Sequence, residues 1–160
     1  MCIRDRPALI HRQDDTAMSL ADTLADIRRR NDWALLPQAV PFAHMLGLRV
    51  DVRGESLTCV LPYEPSLIGN PVLPALHGGA VGGFMECAGI LHMLWSTDAQ
   101  SIPKTINFGI DYLLSCRAQD TFANVYVVKL GKRVSNLRIE AWQTTPDKPV
   151  VVATMNLLMR

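Results

Sequence analysis

One acid in this chain stands where acids seldom do. Glu86 is the only formally charged side chain between Glu64 and Asp98, and it falls inside the apolar run Gly78 to Trp95, GGAVGGFMECAGILHMLW. No Arg or Lys lies near it in sequence, so a carboxylate buried there is costly to desolvate. An acid kept under those conditions, in a cleft, points to chemistry rather than packing. Gly78 and Gly79 open the same run. If the run is helical, their N–H groups lack intrahelical partners and lie at the positive end of the dipole. Glycine also has no Cβ to keep a substrate carbonyl at a distance. A donor for a developing oxyanion, with a carboxylate as nucleophile or as base for water, is what acyl transfer needs.

Helical periodicity adds a groove and a constraint. Gly79, Gly82, Gly83, Glu86, Gly89, Ile90 and Met93 share one stripe of the wheel. A stripe floored by glycine admits a narrow acyl chain or the backbone of a neighbouring subunit. Gly78 and Glu86 are separated by ~12 Å along one helix axis. One carbonyl carbon cannot lie close to both in the same helix. The expected site is therefore shared, with the Gly78 N–H from one chain and Glu86 from its antiparallel neighbour.

The flanking segments say what must hold this helix. Residues 1–18 fit no structural pattern and are expected to be a disordered or non-native leader, with residues 19–160 forming one domain. Ser19 with Asp22 makes a capping box ahead of Leu20, Leu24 and Ile27 at helical spacing. Arg28, Arg29 and Arg30 then read as a solvated helix end that complements the dipole. Strands are expected over residues 48–53 and 57–62, joined at Gly54–Glu55, followed by a proline-rich loop over residues 64–76. After the helix come four strand patterns, over residues 105–113, 122–130, 135–144 and 150–159. In the first of them Ile106, Phe108, Ile110 and Tyr112 share a face. A helix apolar on nearly every side has to be covered all round, and a curved antiparallel sheet wrapped about it does so economically.

His77–Gly78–Gly79, an acid nine positions after the histidine, and the turn Gly131–Lys132–Arg133 carry a resemblance. From about Val40 to the C-terminus the chain resembles the hotdog-fold acyl-CoA thioesterases of the phenylacetic-acid-degradation (PaaI-like) group. The resemblance implies an α+β hotdog fold, a curved antiparallel β-sheet around a long central α-helix, here with an N-terminal helix added. It implies hydrolysis of an acyl-CoA or aryl-CoA thioester by a homodimer, or a dimer of dimers, with composite sites. No cofactor is expected beyond the coenzyme A of the substrate, and no metal. Glu86 becomes the nucleophile or general base and the partner chain's Gly78 N–H the oxyanion donor. His77 either holds the loop or contacts the thioester. Asn70 matches a water-orienting loop residue, although it lies one position further from His77 than the family spacing. Thr105 matches an assisting strand Ser or Thr. Gly79, Gly82, Gly83 and Ile90 line the acyl groove, and Lys132 and Arg133 either bind the coenzyme A phosphates or form a solvated turn.

Composition narrows the field. Apolar residues make up 49% and charged residues 19% of the chain, a balance that suggests hidden apolar surface in an interface or a pocket. A formal net charge of +1 with no basic stripe argues against nucleic acid and against an anionic membrane. Four scattered cysteines (Cys2, Cys59, Cys87 and Cys116) offer neither a disulfide framework nor zinc spacing. A cytoplasmic location is expected. His92 falls almost opposite Glu86 on the wheel and reads as core, and His44 is a weaker ligand candidate. Two other activities fit the architecture: a hydratase or dehydratase on acyl thioesters, and a non-catalytic acyl-CoA-binding module. The first needs a histidine just before Pro71–Pro74 that Ser66 to Asn70 does not supply; the second has no use for Glu86.

Overall fold

The computed structural model describes residues 18–159. The leader expected over residues 1–18 therefore lies outside the described residues, apart from Met18. Helix α1 spans Leu20–Arg30, with Ser19 as N-cap accepting from the Asp22 N–H, and buries Leu24 and Ile27. A 3-10 helix, Trp33–Ala39, and a short helix α2, Pro41–Met45, carry the chain to the sheet. Strands β1 (Arg49–Arg53) and β2 (Ser56–Leu61) form the expected hairpin, turning at Gly54 with φ +60.

The segment expected to be a loop is more ordered than its prolines suggest. It folds into a 3-10 turn, Pro65–Leu67, and a two-stranded ribbon of β3 (Ile68–Asn70) and β4 (Ala75–Leu76). Asn70 closes that ribbon, its Oδ1 accepting from the N–H groups of Val72 and Leu73 at 3.0 and 3.3 Å. Helix α3 then runs over Gly78–Ser96. Strands β5 (Lys104–Tyr112), β6 (Thr121–Lys129), β7 (Val134–Trp142) and β8 (Val151–Leu158) complete an antiparallel sheet in the order β1-β2-β6-β7-β8-β5.

The concave face of this sheet takes α3. Val81, Phe84, Met85, Cys87, Ala88, Leu91, Met93 and Leu94 are buried against inward residues such as Leu137, Ile139, Met155 and Leu157. The inward rows alternate with polar outward ones, and Asn136 donates to Asn156 across β7 and β8 at 2.5 Å. The arginine triplet does not behave as a simple solvated end. Arg29 and Arg30 pair with Asp26, but Arg28 turns inward and donates to the carbonyls of Leu94, Thr97 and Ala99 at 2.9–3.0 Å. It satisfies the orphan acceptors and negative dipole end of α3, a partner that only tertiary folding brings near.

The all-round cover expected for α3 is also incomplete. Gly82, Gly83, Glu86 and Ile90 remain half-buried and Gly79 exposed. Beside them runs β5, the last strand of the sheet, with Ile106 58% and Tyr112 50% exposed and Phe108 and Ile110 half-covered. Among the described residues no helix is long and apolar enough to cross a membrane.

Candidate active site

The site is built at the start of α3 and along its open stripe. His77 is the N-cap, extended at φ -64 and ψ 130. Its N–H donates to the Leu67 carbonyl at 2.7 Å, and the N–H of neighbouring Leu76 donates to Cys116 at 2.8 Å. These two bonds fix the entry angle of the helix. The imidazole Nδ1 of His77 accepts from the Gly79 N–H at 2.9 Å. Of the two glycine donors expected to be free, Gly79 is thus already occupied, and the exposed His77 orders the turn. The Gly78 N–H has no hydrogen-bond partner among the described residues. It points from the positive end of a helix of 19 residues.

Tyr112 locks this end to the sheet, its hydroxyl donating to the Gly78 carbonyl at 2.6 Å. It also covers the glycines: a Cβ on Gly78 or Gly82 would lie 3.3 or 3.4 Å from the Tyr112 hydroxyl. On the other side of the stripe Phe42 of α2 fills the space over Gly83, where a Cβ would come within 2.7 Å of its ring. Neither aromatic was singled out from sequence. Tyr112 was visible only as one member of the alternating face of β5, and Phe42 gave no signal before α2 was placed.

Glu86 therefore stands one turn along from a slot that Phe42 and Leu46 wall at Gly83 and Ile110 and Tyr112 wall at Gly82. Its carboxylate makes no hydrogen bond or ion pair among the described residues, and it is half-buried rather than enclosed. Two members expected on the stripe are not in the slot. Gly89 packs against Met155, Ile139 and Leu137, and Met93 is fully buried; the sheet curls far enough to reach that edge of the helix. Cys87, next in sequence, is buried, and desolvation with the Glu86 charge beside it pushes its thiol up to about 12. It is no nucleophile at neutral pH. Burial likewise raises Cys59. His92 is half-buried, edge-on to Trp95 at 5.4 Å, and its Nδ1 has no hydrogen-bond partner among the described residues. Burial lowers its pKa.

The remaining candidates are spread out. Asn70 is exposed, its Oδ1 spent on the ribbon turn. Thr105 lies near the start of β5, opposite Leu157, whereas Gly78 is held at the other end of that strand by Tyr112. Lys132 and Arg133 are exposed in the β6–β7 turn, beside Val134, which pairs with Leu158 near Lys104. They too lie at the end of the sheet away from Gly78, roughly 27 Å for eight residues of strand. His44 is exposed on α2. Among the described residues no three His, Cys, Asp or Glu converge to hold a metal.

Comparison with known proteins fits this architecture. The thioesterase superfamily model matches residues 73–150, which hold α3 and three of the six strands of the main sheet. A crystal structure of a protein from Chromobacterium violaceum is 36% identical with a TM-score of 0.70, the match covering 87% of this chain and 97% of that one. The chain belongs to the thioesterase superfamily. It has the hotdog fold and is a thioester hydrolase. Other similar structures include a Pseudomonas aeruginosa protein at 26% identity and TM-score 0.69, covering 81% of this chain and 97% of that one. A phenylacetic acid degradation-related protein from Ralstonia eutropha has the same fold at 18% identity and TM-score 0.67, with 79% and 98% covered. No curated protein matches the chain. In this thioesterase the slot around Glu86 is the one place where an unpartnered acid, a glycine floor and apolar walls coincide among the described residues.

Proposed function

We propose that the protein hydrolyses an apolar acyl- or aryl-CoA thioester to the free acid and coenzyme A, in sites shared by two chains. The observation that carries this reading is Glu86, unpartnered and half-open on the glycine-floored stripe of α3. The Gly78 N–H of one chain donates to the thioester carbonyl oxygen and stabilises the negative charge that develops on it. Glu86 of the second chain stands on the other side of the carbonyl carbon. As a nucleophile it attacks that carbon, the C–S bond breaks, the thiolate leaves and takes up a proton, and water hydrolyses the mixed anhydride. As a base it takes a proton from water, whose oxygen attacks the same carbon; the C–S bond then breaks and the departing thiolate takes up that proton, leaving the free acid.

Two chains are required because donor and carboxylate lie ~12 Å apart along one helix. The open edge of β5, with Ile106, Phe108 and Tyr112 along it, supplies the surface on which a second copy would pair. Phe42, Leu46, Ile90 and Ile110 give the slot an apolar lining, which favours an apolar or aromatic acid over a charged one.

Thiol release from a panel of acyl- and aryl-CoA esters tests the reading. The wild-type protein is expected to hydrolyse at least one class, and Glu86→Gln to lose two or more orders of magnitude in kcat with its oligomeric state unchanged. A folded, dimeric wild type inert to every ester would refute it.

A further inference from the structure

Resting on that reading, we infer that the phosphates of coenzyme A are received by Arg117 and Lys148, at the end of a trough that starts beside Gly78. The trough is a chain of three cavities with common walls. The first, about 390 Å³, touches Gly78 and is lined by Leu76, Val81, Tyr112, Leu114 and Ser115. Leu114 and Ser115 also belong to a second, about 390 Å³, whose other walls include Arg117, Gln119, Gln143 and Lys148. A third, about 500 Å³, shares Ser115, Arg117 and Gln119 with the second, and Ala75 with the first. The path thus runs from the oxyanion donor, past the Ser115 hydroxyl, to an end that carries two cations.

That order matches the ligand. A coenzyme A ester presents its thioester first, then an arm of alkyl and amide groups, then phosphates. The cations are free to meet the phosphates: both side chains are exposed and neither has an ion pair or hydrogen bond among the described residues. The loop that carries Arg117 is nevertheless rigid. Gln143 accepts from the Arg117 N–H at 2.9 Å and donates to its carbonyl at 2.9 Å and to the Thr121 hydroxyl at 3.0 Å. Arg117 also bridges to Ala75 of β4. A fixed backbone beneath a free guanidinium is a pre-organised anion receptor. Of the nearby acids, Asp120 is taken by the Tyr63 N–H and Arg49, and exposed Asp147 does not line the trough. Lys132 and Arg133, the pair marked out by sequence, sit at the far end of the same sheet and would have to come from the second chain.

Calorimetric titration of free coenzyme A and of pantetheine, which lacks the phosphates, decides between the two pairs. The wild-type protein is expected to bind coenzyme A at least tenfold more tightly than pantetheine. Arg117→Gln with Lys148→Gln should abolish that preference, and Lys132→Gln with Arg133→Gln should leave it. Equal affinity of the wild type for the two ligands, or a preference that survives the first double variant, overturns the inference. Hydrolysis of an N-acetylcysteamine thioester by the wild type, with no phosphate to bind, reports on the thioesterase reading separately. Both pairs of side chains are exposed, so a melting curve on each variant suffices to establish that it folds.

Discussion

The two flanks of α3 show how one helix serves packing and chemistry at once. Toward the sheet it presents Phe84, Ala88 and Leu91 with no exposure, and even Gly89 is pressed between Met155, Ile139 and Leu137. Toward the open side it presents half-buried Gly82, Gly83 and Glu86, with Tyr112 and Ile110 beside Gly82 and Phe42 and Leu46 beside Gly83. Both flanks carry glycine, yet for different reasons. At Gly89 the residue is small because the core has closed on it. At Gly82 it is small while ordinary contact distances remain around it, so the space it leaves is available to a ligand or a second chain.

The sharpest test of the open flank removes a single hydrogen-bond donor. Gly78→Pro deletes the N–H assigned to the oxyanion while keeping a residue type favoured at the first helical position. His77 already holds the extended conformation a following proline demands. The expected result is a loss of about 10²–10³ in kcat, the usual effect of removing one oxyanion donor, with the fold retained by circular dichroism. Unchanged kcat would mean that Gly78 polarises nothing.

Alanine at the two glycines separates the flanks by sign. Gly89→Ala puts a methyl 2.6 Å from the Met155 sulfur and 3.2 Å from Ile139 Cδ1. Overpacking by ~1–3 kcal/mol outweighs the ~1 kcal/mol helix-propensity gain, so the melting temperature should fall while kcat of the folded enzyme holds. Gly82→Ala meets its nearest neighbours at 3.4 and 3.9 Å. It should gain about 0.5–1 kcal/mol in stability and lose kcat/KM for bulky acids. Melting temperatures that move in the same direction would erase the distinction between the flanks.

The smallest expected effect lies at the closed end. Burial lowers the His92 pKa below its ordinary value of 6.5. Between that lowered value and 6.5 the unfolded chain binds the proton more readily, so stability rises with pH through this window and falls on acidification. Melting temperatures from pH 5 to 8 should show a shallower slope in His92→Phe than in the wild type. An identical slope assigns the pH response to other groups.

Much of this was legible in the residues. The six main strands and α3 appear within a residue or two of the hydrophobic alternation that announced them, because each segment's period matched the face it had to bury. The proposal of a shared site rests on the rise per residue alone. What sequence could not supply was which group would arrive from elsewhere in the chain. Arg28 finds the end of α3 some 70 positions away, and His77 claims the Gly79 N–H through a side-chain bond that competes with ligand binding. The ribbon of β3 and β4 was hidden because Asn70 makes a turn among prolines whose composition reads only as loop. Gly83 and Gly89 stand at opposite edges of one helical stripe, and only the placement of Phe42 and Met155 shows what closes over each.

The unpaired edge of β5 has a consequence for how the protein must be handled. Nine residues of backbone stand ready to receive another strand, with Ile106 and Tyr112 exposed beside them. On the two-chain reading a correct copy is the guard that keeps strangers off this edge. Scarcity then bares the edge on a larger fraction of chains, so a foreign strand should capture a greater share of thinly expressed copies than of abundant ones.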